Sequence, residues 1–228
     1  MQKIVVLTGA GISAESGIKT FRDSDGLWEN HRIEDVATPQ GWHNNRTLVL
    51  EFYNQRRAQL LACEPNDAHK ALARLEGQYD VTIITQNVDD LHERGGSTNI
   101  IHLHGELLKA RSSVDERLVY VWQKDITHED KCEKGSQLRP HIVWFGEAVP
   151  MIEKAAGAMV QAGIVIVIGT SLQVYPAAGL LQYAPAAAQK FIIDPKPVSS
   201  SEIAGIRHIM APATKGMLTL LDSLMKKG

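Results

Sequence analysis

A glycine-rich segment near the start of the chain has the residue types of a phosphate-binding turn. Apolar residues 4–7 lead into Gly9, Ala10 and Gly11. The two glycines permit a tight turn and let the backbone approach a pyrophosphate without an intervening Cβ. Ser13 could then accept hydrogen bonds from the free N–H groups at the start of a following helix. An ordinary strand-to-helix turn has the same pattern, so this loop alone leaves both interpretations open.

Polar clusters follow four further apolar runs of the chain. These clusters are residues 85–92, 102–106, 169–172 and 194–195. Parallel strands would bring all four to the carboxyl edge of one sheet, where α/β folds bind ligands. Each cluster taken singly is equally compatible with a capped helix start or a polar loop. Together with the glycine loop, they predict a site for an adenosine diphosphate group.

The elements that must position these residues alternate along the chain. Short β-branched runs, separated by segments of helical periodicity, occur at residues 4–7, 81–84, 100–103, 164–168 and 191–193. This alternation predicts an α/β fold, a Rossmann-like parallel sheet with helices on both faces. Residues 164–168 are apolar at every position, which is typical of a central strand. An apolar stripe over residues 217–225 predicts a C-terminal covering helix.

Two segments, residues 20–65 and 106–145, depart from this alternation and are predicted to be insertions that form a smaller module. Insertions that follow the strands of such a sheet lie beside its ligand-binding edge. We therefore assign residues 1–22, 66–105 and 146–228 to a nucleotide-binding domain. The small domain then comprises residues 23–65, a helical insertion, and residues 106–145.

Composition limits the classes of partner and location. The chain has 228 residues, 44% of them hydrophobic, and a net charge of −2, so it offers no electrostatic attraction for nucleic acid or an anionic membrane. It shows neither a signal-peptide pattern nor an apolar run of about 18 residues. Only Cys63 and Cys132 are present, which excludes a disulfide framework. We expect a cytoplasmic monomer without nucleic-acid or membrane partners.

Six motifs, in their order and spacing, closely resemble those of the sirtuins, which are NAD-dependent protein lysine deacylases. Among the sirtuins, the chain resembles the bacterial class III type. The motifs span nearly the whole chain and are residues 9–22, 26–28, 85–92, 104–106, 139–147 and 169–171. The resemblance implies that NAD is consumed: the acyl-lysine carbonyl oxygen attacks C1′ of the nicotinamide ribose. Nicotinamide then leaves, and the acyl group ends on ADP-ribose. His104 matches the general base, whereas structural or capping roles are expected for His92 and His102.

The resemblance also implies a set of NAD contacts. Gln86, Asn87 and Asp89 match positions that hold the nicotinamide ribose and carboxamide, which needs both donors and acceptors. Asp194 departs from the asparagine of many relatives, and its carboxylate would repel a 2′-phosphate, which favours NAD over NADP. The full predicted set is Gly9, Ala10, Gly11, Ser13, Phe21, Arg22, Trp28, Gln86, Asn87, Asp89, Gly169, Thr170, Ser171, Asp194 and Ala213.

Two further segments match the binding of an acyl-lysine protein substrate. The first comprises Val143, Trp144, Phe145 and Gly146, and resembles the segment along which the peptide lies as an added strand. In the second, Tyr53 and Arg56 share one helix face, so a phenol and a guanidinium can close on one carboxylate. This pair resembles class III sirtuins, which prefer succinyl-, malonyl- or glutaryl-lysine. A solvated arginine beside a half-buried tyrosine would have the same spacing.

The chain departs from the family in its cysteines. Relatives usually carry two Cys-x-x-Cys pairs that bind zinc, whereas residues 109–137 contain Cys132 alone. We therefore expect no metal site and an unreactive thiol. Apolar residues are expected to stabilise the small module instead, namely Leu118, Val119, Val121 and Trp122.

Three functions stay open from the sequence. The first is deacylation of lysine with preference for acidic acyl groups, with acetyl also a possible substrate. The second is mono-ADP-ribosyl transfer to protein, which uses the same cleavage of NAD. The third is a non-catalytic module that senses NAD or ADP-ribose, which the missing zinc ligands make conceivable.

Overall fold

The computed structural model describes residues 1–19, 27–28, 30–197 and 205–226. In chain order, the strands are β1 (Lys3–Thr8), β2 (Leu27–Trp28), β3 (His31–Arg32), β4 (Asp80–Thr85), β5 (Ile100–His102), β6 (Gly105–Ser112), β7 (Val119–Val121), β8 (Leu138–Ile142), β9 (Ile164–Ile168), β10 (Gln189–Ile193) and β11 (Ile206–Ile209). The helices are α1 (Ile33–Val36), α2 (Pro39–Asn44), α3 (Arg46–Ala62), α4 (Asp67–Leu75), α5 (Leu91–Arg94), α6 (Ile152–Val160) and α7 (Ala213–Met225).

Six strands form one parallel sheet in the order β11-β10-β9-β1-β4-β5. The predicted α/β fold is confirmed, and the five predicted strands are present. β1 and β9 form the central pair, and every side chain of β9 is buried, as its uninterrupted apolar sequence predicted. The edge strand β11 was missed because Arg207 and His208 interrupt its apolar pattern.

Helices cover both faces of this sheet. Ile166 of β9 faces a core that includes Leu72 of α4 and Met217 of α7. Val167, the next residue of β9, faces the opposite core, which includes Met159 of α6. Adjacent residues of a strand point to opposite faces, so two hydrophobic layers form on one strand. The predicted C-terminal covering helix is therefore confirmed as α7.

A second module is built from the two insertions. Strands β6, β7 and β8 form an antiparallel sheet in the order β7-β6-β8. Its own core joins α3, through Phe52 and Leu60, to Leu107 of β6 and Leu138 of β8. The module thus has a hydrophobic core separate from the two that flank the parallel sheet. The domain boundaries drawn from the sequence stay a prediction.

The side chain of Asn54 fastens α3 to the loop before β8. Its carbonyl oxygen accepts a hydrogen bond from the Ile126 amide at 2.9 Å, and its amide donates to the Ile126 carbonyl at 3.0 Å. The buried guanidinium of Arg57 donates to the same Asn54 oxygen at 2.7 Å and to the Leu107 carbonyl at 3.1 Å. These bonds satisfy buried backbone groups and tie α3 to the inserted sheet.

The predicted apolar packing of β7 is partly wrong. Leu118 and Trp122 pack against the module's core, but Val119 and Val121 are 38% and 75% exposed. Residues two apart on a strand share a face, and the face carrying both valines points away from the core. Tyr120, between them, is the β7 side chain that packs inward.

Cys132 is a free, buried thiol beside the hydroxyls of Ser112 and Ser136, at 3.3 and 3.1 Å from its Sγ. Hydrogen bonding to these hydroxyls lowers the pKa of the thiol to about 7. The thiol is therefore more acidic than the ordinary cysteine that the sequence predicted, because hydrogen bonds favour the thiolate.

None of the helices in the described ranges combines the length and apolar character that a bilayer crossing needs.

Replacing Asn54 by alanine is expected to destabilise the protein. The change leaves the N–H and C=O of Ile126 and one N–H of Arg57 without their partner. We expect the free energy of unfolding to fall by about 1–3 kcal/mol, measured by urea denaturation. Gln55→Ala, at an exposed position of the same helix, is the control and should be nearly neutral. Equal effects of both changes would contradict this role of Asn54.

Candidate functional site

A cavity of about 500 Å³ lies where the carboxyl ends of β1, β4, β9 and β10 meet the second module. The parallel sheet and the second module both contribute to the cavity walls. Loops after the parallel strands face residues of α3 and of the segment that follows β8. Apart from Ser13, every predicted site residue that the structure describes lines this cavity. Phe21 and Arg22 lie outside the described residues. The roles of the lining residues stay predictions, but the predicted convergence at one sheet edge is observed.

The glycine loop packs directly against the loop after β9. The Gly9 amide donates to the Ile168 carbonyl at 3.0 Å, and the Gly11 amide donates to the Gly169 carbonyl at 2.9 Å. A Cβ added to Gly11 would lie 2.5 Å from the Gly169 Cα, and one added to Gly9 would lie 2.7 Å from the Thr170 Cβ. Glycine is therefore required here for contact between the two loops. Gly169 also has φ +62°, in the left-handed region that favours glycine.

The predicted capping role of Ser13 is wrong. Residues after the glycine loop form two short 3-10 turns, Ala10–Ile12 and Ala14–Ser16, and the Ser13 side chain makes no cap bond to either. The hydroxyl instead donates to Asp89 Oδ2 at 2.9 Å and accepts from Asn87 Nδ2 at 3.1 Å. The hydroxyl turns away from the backbone because two buried polar groups from the β4 loop need it as a partner.

Asp89 is a buried carboxylate at the cavity wall. Besides Ser13, it accepts a hydrogen bond from the Leu91 amide at 3.2 Å. Burial raises the pKa of its carboxyl group to about 6, against the opposing effect of the two hydrogen bonds. Together, Asn87 and Asp89 present an amide and a carboxyl group side by side, which is a donor and acceptor set suited to an amide-bearing ligand.

His104 follows β5, and its position is fixed by the Gln86 carbonyl and by the close approach of the next strand. Its Nδ1 lies 2.9 Å from the Gln86 carbonyl oxygen, which can only accept, so Nδ1 carries the proton and Nε2 is left as an acceptor. Burial lowers the pKa of the imidazole. Gly105, with φ +85°, brings the next strand against His141, where a Cβ has no room. The site therefore holds a neutral histidine in one tautomer.

The neighbouring histidines are bonded within the protein. His92 is buried, with Nε2 3.0 Å from the Thr8 hydroxyl, and burial places the pKa of its imidazole well below the usual value. His102 lies 2.7 Å from Glu93 through Nε2, and this carboxylate raises the pKa of the His102 imidazole against the effect of burial. Both arrangements agree with the structural roles expected for these residues.

Two further polar residues of the cavity wall, Gln86 and Asp194, make hydrogen bonds within the protein. Gln86 Nε2 donates to the Thr170 hydroxyl at 3.1 Å, which ties the β4 loop to the β9 loop. Asp194 is buried after β10, and its Oδ1 accepts from the Lys196 amide at 2.9 Å. These bonds hold the wall polar groups in place along the sheet edge.

Tyr53 and Arg56 line the end of the cavity formed by α3. The Tyr53 side chain is fully buried, and its hydroxyl oxygen accepts a hydrogen bond from the indole Nε1 of Trp144 at 3.0 Å. Burial raises the pKa of the phenol far above its usual value, so the hydroxyl stays protonated. The predicted spacing therefore does place a phenol and a guanidinium in one cavity.

Sequence reasoning missed the group that holds Trp144. Glu147 accepts a bond from the Trp144 amide at 2.8 Å and pairs with Arg139 at 2.7 Å and Arg111 at 3.1 Å. The Arg139 guanidinium also lies 3.2 Å from the centroid of the Trp144 ring. Arg139 and Glu147 fall within a motif singled out from the sequence, but their spacing gave no sign that they act on Trp144.

The predicted substrate segment is a turn rather than a free strand edge. The amides of Val143 and Phe145 bond to the carbonyls of His104 and Ala37, at 2.9 and 3.0 Å. The Trp144 carbonyl accepts from the Glu147 amide at 3.0 Å. These three groups are bonded within the protein, and the role of residues 143–146 in binding a peptide stays a prediction. Gly146 and the half-exposed ring of Phe145 are left at the cavity wall.

Within the described ranges, no group of three or more His, Cys, Asp or Glu side chains could hold a metal ion.

The fold and the site together define a Rossmann-type protein with a nucleotide-sized cavity between its parallel sheet and an inserted module. Comparison with known proteins narrows this class. The model of the Sir2 family matches residues 9–176. An NAD-dependent protein deacylase of Helicobacter pylori is 56% identical over 226 residues, which cover 99% of both chains. The chain therefore belongs to the Sir2 family.

Solved structures agree with this assignment. A Sir2 homologue bound to ADP-ribose superposes with a TM-score of 0.91 at 38% identity, covering 99% of this chain and 92% of that one. A complex of Sir2 with a p53 peptide and NAD⁺ superposes with a TM-score of 0.82 at 29% identity, covering 98% and 93%.

Replacing Asp89 by asparagine is expected to stabilise the fold. The pKa of the folded-state carboxyl group, about 6, lies above the ordinary 3.8, so the ionised group destabilises the folded state increasingly as pH rises from 4 to 6. Asparagine removes the charge and keeps one acceptor oxygen for the Leu91 amide, while its Nδ2 can donate to the Ser13 hydroxyl oxygen. We expect the free energy of unfolding at pH 7 to rise by about 1–3 kcal/mol, measured by urea denaturation.

The control is Asp80→Asn, since that carboxylate lies half-exposed on the surface. The gain from Asp89→Asn should shrink as pH is lowered from 6 to 4. A gain that does not change with pH would contradict the assignment of Asp89 as a buried charge.

Proposed function

We propose that this protein is an NAD-dependent protein lysine deacylase that prefers succinyl- or malonyl-lysine to acetyl-lysine. Family membership and the deacylase relatives support the reaction class. One observation carries the acyl preference: Tyr53 and Arg56 line the same cavity as His104. A substrate bound there would meet a base at one part of the cavity and two hydrogen-bond donors at another.

The residues present fit NAD. The loops at Gly11 and Gly169 approach each other without side chains, and backbone N–H groups of such loops suit phosphates. Asn87 and Asp89 would hold the carboxamide, and the buried Asp194 would accept bonds from ribose hydroxyls. When bound, NAD supplies a glycosidic bond whose cleavage releases nicotinamide and activates the ribose toward the acyl oxygen.

His104 acts as the base in this proposal. Its Nε2 is the unprotonated ring nitrogen, because Nδ1 donates to the Gln86 carbonyl. Burial keeps the ring neutral near pH 7, so Nε2 can take the proton of a ribose hydroxyl. Transfer of the acyl group to that ribose hydroxyl, with one water consumed as the bond to the lysine nitrogen breaks, would then yield O-acyl-ADP-ribose and free lysine.

The acyl end is recognised by charge and hydrogen bonding. Arg56 carries only donors and is positively charged, and the Tyr53 hydroxyl stays protonated. A carboxylate on the acyl chain would accept from both, and such charge-assisted bonds are stronger than neutral ones. Acetyl-lysine lacks this carboxylate and would bind without these two bonds.

Incubation of the protein with NAD and matched succinyl- and acetyl-lysine peptides tests the function. We expect deacylated peptide, nicotinamide and O-acyl-ADP-ribose, with the succinyl peptide turned over more efficiently. Labelled protein in place of deacylated peptide would favour mono-ADP-ribosyl transfer. Absence of nicotinamide release would favour a sensing module and overturn the proposal.

Replacing Arg56 by methionine should change the acyl preference. The change keeps an extended side chain but removes the positive charge, so kcat/KM for the succinyl peptide should fall about 10- to 100-fold. Activity on the acetyl peptide should change little. Arg46→Met, at an exposed site of the same helix, is the control. A similar loss on both peptides would contradict the role of Arg56.

The two histidines at the end of β5 should titrate on opposite sides of pH 6.5. Burial lowers the pKa of His104, whereas Glu93 raises the pKa of His102. Deacylation should therefore decline as pH falls through the His104 pKa, since protonated Nε2 cannot act as a base. NMR titration, with signals assigned by loss in His104→Ala and His102→Gln, measures both values.

His104→Ala should lower deacylation about 10²- to 10⁴-fold, while His102→Gln should retain most of it. A His104 midpoint above 6.5 would contradict the effect of burial on its pKa, and comparable losses in both variants would exclude His104 as the base.

A further inference from the structure

We propose that Trp144 is a specificity-determining positioning residue, whose indole fixes the Tyr53 hydroxyl as a donor toward the acyl group. The proposal rests on the proposed function, since it concerns the same acyl end of the cavity. It explains why the cavity would bind a carboxylate in preference to a neutral group of the same shape. Both side chains line the cavity, and both are buried.

The direction of the Trp144–Tyr53 hydrogen bond is set by chemistry. An indole N–H can only donate, so the Tyr53 oxygen, 3.0 Å away, must accept. The hydroxyl proton then has to point elsewhere. Among the described residues, the Trp144 indole is the one hydrogen-bond partner of the Tyr53 hydroxyl, so the proton is left for a ligand. Burial also keeps the phenol protonated.

Trp144 is held by three neighbouring side chains. Glu147 accepts a bond from the Trp144 amide, and the Arg139 guanidinium lies against one face of the ring. Arg139 in turn donates to Glu147 at 2.7 Å, which fixes the guanidinium. The Trp42 ring lies 5.8 Å from the Trp144 ring, centroid to centroid. Rotation of the indole away from Tyr53 would break this packing.

The consequence is an acyl end that presents only donors. A tyrosine hydroxyl free to rotate can donate to a carbonyl or accept from an N–H. With one lone pair of its oxygen engaged by Trp144, the Tyr53 hydroxyl is oriented to present its proton, as the guanidinium of Arg56 presents its N–H groups. A carboxylate has two acceptor oxygens and can accept from both groups. A carboxamide of the same shape has one acceptor oxygen, and its NH₂ is a donor that would face another donor. Trp144 thereby gives the Tyr53 hydroxyl a preference for a carboxylate over a carboxamide.

The kinetic test uses three peptides: succinyl-lysine, its terminal carboxamide analogue, and acetyl-lysine. For the unchanged protein we expect kcat/KM to be at least about 10-fold higher with succinyl than with the carboxamide. Trp144→Phe should lower kcat/KM for the succinyl peptide about 3- to 10-fold, mainly through KM, and lower it less for the acetyl peptide. The carboxamide should be turned over as well as before or better.

Trp122→Phe is the control, since its ring packs against the same core while its indole Nε1 donates to the Asp125 carbonyl and not to Tyr53, and it should keep the preference. An equal loss on all three peptides in Trp144→Phe would reduce Trp144 to a structural residue and overturn the proposal. If Trp144→Phe does not fold, Tyr53→Phe provides the same test, because it removes the directed hydroxyl and should abolish the preference for carboxylate over carboxamide.

A spectroscopic test is independent of activity. The four tryptophans give four indole N–H signals, and the one lost in Trp144→Phe identifies Trp144. Tyr53→Phe keeps the ring but removes the acceptor, so this signal should shift while the other three stay in place. An unmoved signal would overturn the proposal even for an enzyme that prefers acidic acyl groups. If the Trp144 signal shifts but the enzyme shows no preference for acidic acyl groups, the result would count against the proposed function.

Discussion

The site depends on the close approach of two loops, in which the backbone of Gly11 lies against that of Gly169. These loops end the two central strands, β1 and β9, so their contact closes the sheet edge where the cavity begins. The space occupied by this contact leaves none for a side chain. Ser13, at the end of the glycine loop, bonds to Asp89 and Asn87 and thereby joins the β4 loop to the same edge. The backbone contact and these two bonds together bring three loops to the cavity.

Burial sets the protonation states of the groups at this edge. It lowers the pKa of the His104 imidazole and raises the pKa values of Asp89 and Tyr53. The physical cause is the same, since a group taken out of water favours its neutral form. A neutral imidazole can act as a base and a protonated phenol as a donor. The cost of burying Asp89 is typical of functional sites, where stability is exchanged for chemistry.

The second module contributes the other wall and is held by polar bonds as well as by its core. Asn54 and Arg57 of α3 fasten the helix to backbone carbonyls of the module, on the same helix that carries Tyr53 and Arg56. Glu147 and Arg139 fix Trp144, which reaches Tyr53. The end of the cavity lined by Tyr53 and Arg56 is therefore positioned by contacts between segments about 90 residues apart in the chain.

The sequence alone determined the α/β fold, five strands of the parallel sheet, the covering helix α7 and the convergence of the polar clusters on one edge. These follow from local periodicity and from the rule that parallel strands share a carboxyl edge. Only the tertiary structure decided the partners of Ser13, the outward face of Val119 and Val121, and the bond from Trp144 to Tyr53. Sequence patterns encode which face a residue occupies along its own element, whereas hydrogen-bond direction and desolvation depend on groups brought together by folding.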